Sequence, residues 1–325
     1  MTTFVDLPIV NVSQVPQISP LRYPGGKSWF YPYFRAWLKF NNYRGRILIE
    51  PFAGGASISL QSLFEGLVSR VVLVETDEEV FNFWRVTIDE DGFPRIIEQI
   101  SRIRTEEDIL NTLNELEEKR SQNNLDEVEK ALLYLIKNRI NYGGITAKGS
   151  SKIKRGENGR GLTSRWYPDT LIARLSIIHR LRNSITIIQG DGVSFLEFSS
   201  KFLPDAIIFA DPPYILGQEA PGTRLYNKTT FAYKRLFATL ANSFRQQFIL
   251  THSPSEEITS LAEGFRLEIK EVPMKGRQNQ IAKEIVVAND TSWVRRDLIE
   301  TEIAELKSLL KEVKKPTIEA ERLLF

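Results

Sequence analysis

The chain has 325 residues, is 42% hydrophobic and 26% charged, and sets 43 basic against 41 acidic side chains for a net charge of +2. These are globular proportions, with room for one large α/β domain and an insertion, and the balanced charge does not by itself imply nucleic-acid binding. The lack of cysteine excludes disulfides, thiolate nucleophiles and cysteine metal sites; His179 and His252 have no ligand spacing, so no metal is expected; and no apolar run or basic leader marks a membrane span or secretion signal, so a cytoplasmic protein is expected.

Residues 1–19 are dotted with proline and read as an extended arm. The turn signal Pro24-Gly25-Gly26 precedes an aromatic-rich helix through Phe40. Gly45 to Glu50 predicts a buried strand, Pro51 to Leu67 a glycine loop opening into a helix, and Val71 to Val74 a second strand ending on Glu75, with a helix through Phe81 and Trp84 behind it. Strand, helix, strand, helix is the rhythm of a parallel sheet wrapped by helices. From Arg85 the rhythm changes to long helical stretches, Ile96 to Lys119 and Leu125 to Ile140, followed by a loop from Tyr142 to Arg165. Strands resume at Ser184 to Ile188, Ala206 to Ala210, Phe248 to Thr251 and Lys283 to Ala288.

The expected organisation is therefore an arm (1–19), a catalytic α/β domain in two pieces (20–84 and 184–292), an inserted helical domain (85–183) and a helical tail (293–325). In the tail, Ile299, Ile303, Leu306, Leu310 and Val313 recur at spacings of four and three and form one apolar stripe. Two heptads are short for a free coiled coil, so the stripe is expected to dock on its own chain and leave a monomer.

Ile47 to Ser57 places two glycines between a strand and a helix, where they let the backbone approach a ligand and point amides at it. Glu75 stands about 20 residues on, where nucleotide-cofactor folds keep an acid for ribose hydroxyls. After Phe52 the line is Ala-Gly-Gly-Ala, without the third glycine of a dinucleotide site. That disfavours NAD and FAD and fits a cofactor with a ribose and no pyrophosphate, of which S-adenosylmethionine is the common one. A further strand ends on Asp191, an acid that either accepts from an adenine amino group or serves an Asp-Gly turn.

The strand Ala206 to Ala210 runs into Asp211-Pro212-Pro213-Tyr214. Prolines end the strand, but they do not explain the acid and the ring beside them. An exocyclic amine on a base is a poor nucleophile because its lone pair is delocalised into the ring. Asp211 and the Pro212 carbonyl, as two fixed acceptors, would draw it towards tetrahedral geometry and stabilise the developing positive charge. Tyr214 would stack on the extruded base. Ala147 to Gly161 carries five basic residues against one acid, and Lys148, Lys152, Lys154, Arg155 and Arg160 are candidates for phosphate contact. Arg165 and Trp166, just behind, are candidates for reading base edges or filling the gap a flipped base leaves.

With RYPGGK at Arg22 to Lys27, EPFAGGAS at Glu50 to Ser57, an acid after the second strand and DPPY at Asp211 to Tyr214, the chain resembles the DNA adenine-N6 methyltransferases of the Dam type, over about Pro20 to Asp290. The resemblance implies a Rossmann-like methyltransferase sheet with an inserted target-recognition domain, S-adenosylmethionine as cofactor, double-stranded DNA as substrate, and a cognate restriction endonuclease as a possible partner. By position it assigns Tyr23, Gly26 and Lys27 to a segment closing over the methionine end of the cofactor, and Phe52, Gly54 and Glu75 to its adenosine. Asp211, Pro212, Pro213 and Tyr214 are left for the chemistry.

Two positions depart from that family's pattern. Ala56 replaces the last glycine of F-x-G-x-G and is expected to narrow the pocket slightly, while R-x-x-Y-N-G appears only in part, as Arg139-Ile-Asn-Tyr-Gly-Gly144. The second bears on the target sequence more than on the reaction. Without cysteine, cytosine-C5 methylation is excluded; cytosine-N4 methylation and a nucleic-acid-binding module without catalysis remain the alternatives.

Overall fold

The computed structural model describes residues 7–23, 25–146, 150–153, 156, 159–214, 232–275 and 280–313. Its centre is a seven-stranded sheet in the order β3-β2-β1-β4-β5-β7-β6. The strands are β1 (Ile47–Glu50), β2 (Arg70–Glu75), β3 (Ile185–Gln189), β4 (Ile207–Ala210), β5 (Phe248–His252), β6 (Glu268–Lys275) and β7 (Ile281–Ala288). The first five pair in parallel, and β7 runs antiparallel to both β5 and β6.

Alternate side chains of the central strands enter two different cores, as the two-residue period of a strand requires. Leu48, Val71, Leu73, Ile207 and Phe209 face one. Ile49, Val72, Val74, Ile208 and Ala210 face the other. With both faces covered, these strands are nearly continuous apolar runs, which is why the sequence displays them so clearly.

The first core is roofed by α1 (Tyr31–Phe40), α2 (Ser57–Phe64) and the helices between β2 and β3. Those are α3 (Glu78–Ile88), α4 (Gly92–Arg102), α5 (Glu106–Ser121), α6 (Glu127–Ile140) and α7 (Pro168–Arg180). The second is roofed by α8 (Gly192–Ser199), α9 (Tyr233–Ser243) and α10 (Glu256–Gly264). Phe30 and Phe34 pack their rings on Phe209 of β4 at 5.9 and 5.6 Å between centroids. The short 3-10 helix Lys27–Phe30 that leads into α1 is thereby fixed beside the end of β4.

One expectation is corrected, and two features had no signal in the sequence. The stretch Ile96 to Lys119 is two helices, because Thr105 caps α5: its hydroxyl accepts from Asp108 N (3.1 Å) while Asp108 Oδ2 accepts from Thr105 N (2.8 Å). The N-terminal arm, expected to be extended, lies against the rest of the fold, with Leu7, Val10, Val15 and Ile18 buried. The strand β6 carries no apolar alternation, and its polar, proline-containing sequence suits the edge position that it occupies.

The tail forms α11 (Arg296–Val313) and docks on α1, burying Ile299, Ile303 and Leu306. Arg35 of α1, itself buried, meets Glu65 (3.4 Å), Glu302 (3.0 Å) and Glu305 (2.8 Å), and Lys39 completes the network with Glu302 (2.7 Å) and Glu305 (2.8 Å). The Arg35 Nε and Nη1 contacts are close but poorly aligned as hydrogen bonds. No described helix is long and apolar enough to cross a membrane.

Candidate active site

The strand order reverses between β1 and β4, and in open α/β sheets ligands bind in the crevice at the carboxyl ends of the strands beside such a switch. The chemistry-bearing acids stand along that edge: Glu50 ends β1, Glu75 ends β2, Asp191 follows β3 and Asp211 follows β4.

Around the glycine loop, Gly54 N donates to Glu75 Oε2 (2.8 Å), and Asp77 N donates to Glu75 Oε1 (2.9 Å). Burial raises the Glu75 pKa while these amide bonds hold it down. Each oxygen keeps a lone pair for a further donor. Gly54 has φ +45°, and a side chain there would meet the Tyr23 ring at 2.7 Å. Its glycine thus serves both a left-handed backbone and a ring lying against the loop.

Ala56 carries the same left-handed geometry, φ +48°, without glycine's freedom. Its methyl is buried in the core. The expected narrowing of the pocket is therefore replaced by a conformational cost. Phe52 lies beside Gly192, where an added Cβ would stand 2.0 Å from the Pro51 carbonyl and 2.9 Å from the Phe52 ring. Asp191 caps α8, its Oδ2 accepting from Ser194 N (2.7 Å) and Ser194 Oγ (2.6 Å). That helix cap is the role its geometry displays.

Lys27, which the resemblance assigns to the methionine end of the cofactor, lies at the centre of the DPPY cluster. Its Nζ donates to the carbonyl of Gly25 (2.9 Å), to Asp211 Oδ2 (2.8 Å) and to the Tyr214 hydroxyl (2.6 Å), and lies 3.3 Å from Glu284 Oε1. Burial alone would lower its pKa, but Asp211 and Glu284 raise it, so the ammonium stays charged. Asp211 is further held by Thr251, whose hydroxyl donates to Oδ1 (3.0 Å). The Tyr214 hydroxyl donates to Glu284.

From below, Tyr233 donates to the Pro213 carbonyl and meets His252 Nε2 at 3.0 Å, while the His252 ring lies 4.6 Å from that of Tyr214. Burial lowers the His252 pKa and favours the neutral ring. Burial raises Glu50 to about 8.

Sequence reasoning missed Glu284, Thr251, Tyr233 and His252. Glu284 had left one signal, an acid standing beside the buried run Ile285 to Ala288.

On the other side of the glycine loop a cleft of about 780 Å³ opens against α6, lined in part by Arg22, Tyr23, Ser57, Arg139, Tyr142 and Arg165. A smaller cavity of about 260 Å³ shares Arg22 and Arg139 and adds Arg174. No acid lines either among the described residues. Lys152 and Arg160 are exposed, while Lys148, Lys154 and Arg155 lie outside the described residues. Trp166 is corrected: it is a core residue, 3% exposed, and its indole N–H donates to the Ile103 carbonyl (2.9 Å), so it has no face to offer a base.

Two structures of the rRNA methyltransferase aviRa from Streptomyces viridochromogenes are similar to this chain at TM-scores of 0.36, with 10% and 11% identity, covering 90% and 89% of this chain and 96% and 95% of theirs. Superposition at that level sets no constraint on substrate. No curated protein matches the sequence. The family model of the D12 class N6 adenine-specific DNA methyltransferases matches residues 23–274, from the Tyr23 segment through the glycine loop and DPPY to β6. The chain therefore belongs to the D12 class of N6 adenine-specific DNA methyltransferases, enzymes that use S-adenosylmethionine.

Proposed function

We propose that this enzyme methylates the N6 amino group of adenine within a specific sequence of double-stranded DNA, on a base turned out of the duplex and stacked on Tyr214. The observation that carries this reading is Asp211 at the mouth of β4. Thr251 and Lys27 hold its two oxygens, so that a carboxylate of fixed orientation sits beside the Pro212 carbonyl. Preorganised acceptors of this kind need no reorganisation when the amine becomes cationic.

The donor set fits S-adenosylmethionine: a buried acid at the end of β2, amides of the glycine loop and the Phe52 ring stand together at the strand ends. Bound there, with Glu75 on the ribose hydroxyls and Tyr23, Gly26 and Lys27 at the methionine end, the cofactor supplies the methyl group. Asp211 and the Pro212 carbonyl accept the two amine N–H groups. Lys27 and Thr251 hold the Asp211 carboxylate in place, and Tyr233 and His252 hold the double proline and the Tyr214 ring.

The segment 85–183 is read as the target-recognition part. Its arginines 139, 165 and 174 line cavities without an acid, which suits a DNA backbone, and Lys152 and Arg160 extend the basic surface. Because α11 buries Ile299, Ile303 and Leu306 on its own chain, the enzyme is read as a monomer, acting on DNA in the cytoplasm alone or beside an endonuclease of the same specificity.

The test is Asp211→Ala. Transfer of labelled methyl from S-adenosylmethionine to adenine-containing duplex should fall by about 10² to 10³ in a single turnover. Cofactor binding by calorimetry should persist. Wild-type rates in the variant would remove Asp211 from the chemistry.

A further inference from the structure

Methyl transfer to an amine leaves a proton to be removed. When the amine nitrogen bonds to the methyl carbon, the C–S bond breaks with its electron pair going to sulfur. The nitrogen is then cationic and must lose one hydrogen. Asp211 is placed to take it, but it must pass the proton on before another turnover.

Asp211 Oδ2 accepts from Lys27 Nζ (2.8 Å), Lys27 Nζ donates to the Tyr214 hydroxyl (2.6 Å), and that hydroxyl donates to Glu284 Oε1. The hydrogens beyond Asp211 already point along this chain. Two shifts carry the proton: the Tyr214 hydrogen moves to Glu284 as a Lys27 hydrogen moves to Tyr214, leaving Lys27 an amine, and that nitrogen then turns its freed lone pair to Asp211 and takes the hydrogen there. Lys27 and Tyr214 end as they began, Asp211 is a carboxylate again, and Glu284 is a carboxylic acid.

We infer that Glu284 is the terminal acceptor of the proton released by methyl transfer, acting through Tyr214 and Lys27. It lies on β7, ten residues beyond the end of the family match at 274, and is 2% exposed. The titratable groups facing it are Lys27 from the 3-10 helix and Asp211 and Tyr214 from the segment after β4, with neutral Val272 opposite it on β6. Burial raises its pKa, against the lowering effect of Lys27, which makes it a better base than an exposed glutamate. As it acts through other groups, Glu284 is a positioning residue rather than a catalytic one.

The inference rests on the proposed function, and the experiment separates the two. Single-turnover methyl transfer to adenine-containing duplex would be followed across pH for the wild type, Glu284→Gln and Tyr214→Phe, together with calorimetric binding of S-adenosylmethionine. Infrared spectra of the free protein would follow the protonated carboxyl band. Glu284→Gln is expected to slow transfer about 10²-fold, to abolish the rise of rate with pH on the acid side, and to remove one titrating carboxyl band, with cofactor binding unchanged. Tyr214→Phe keeps the ring and breaks the relay, and should flatten the same limb. An unchanged rate and acid limb in Glu284→Gln overturns the inference while leaving the proposed function standing. If the wild type fails to methylate adenine at all, the proposed function falls first, and the inference with it.

Discussion

Glu50 and Lys27 are equally buried, each 4% exposed, yet one is held neutral and the other charged. Lys27 has two carboxylates beside it that outweigh the loss of water. Glu50 has chiefly the Ser59 amide (3.3 Å), and burial lifts its pKa to about 8. In the unfolded chain that carboxyl titrates at its ordinary value of 4.5. Between these values the unfolded state gives up a proton that the folded state keeps. The contribution is therefore complete below 4.5 and is lost progressively as pH rises towards 8. Glu50→Gln cannot ionise and should remove this slope. Urea denaturation across that window should show the variant gaining on the wild type with rising pH, by a few kcal/mol (order of magnitude) at the alkaline end. Parallel curves would mean that Glu50 ionises freely in the folded protein.

The C-terminal helix shows how an element is secured by both packing and charge. Its apolar stripe supplies the hydrophobic contact, and Glu302, buried at 4% exposure, meets the equally sequestered Arg35. Removing one member of a buried pair leaves the other without compensation and typically destabilises by about 3 to 5 kcal/mol. Glu302→Ala should therefore lower the urea midpoint clearly, whereas Lys307→Ala, on the exposed face of the same helix, should leave it within about 0.5 kcal/mol of wild type. Equal effects of the two changes would show that Glu302 adds nothing beyond helix docking. The apolar periodicity of α11 was legible in the sequence because it is local. The Arg35 partner was not, since it stands 267 residues away (302 minus 35).

At the scale of the whole molecule, the arrangement that matters is a basic cleft between the glycine loop and α6, built from Arg22 before the sheet and from Arg139 and Arg165 within the long helical segment. If DNA lies along it and reaches the exposed Lys152 and Arg160, changing both to Gln should weaken binding to all duplexes alike. The slope of log affinity against log salt should become shallower by about 0.9 for each phosphate that is no longer neutralised. Methyl transfer at saturating DNA should be little changed. A salt series on cognate and random duplexes measures this, and an unaltered slope would take the backbone off that surface.

The sheet's central strands, the glycine loop, the acid after β2 and the DPPY turn could be read directly from the chain, because two-sided burial, left-handed backbone and proline stops each demand particular residues within a few positions of one another. The same locality allowed the docking of α11 to be foreseen. The polar edge strand β6 and the packed arm escaped, since neither has an apolar period that separates it from a loop. Tertiary structure alone brought Lys27 and Glu284 to Asp211 and Tyr214, and withdrew Trp166 from the surface into the core. These residues come from segments far apart in sequence, and their charges acquire meaning only where a buried setting leaves each with the other as its partner.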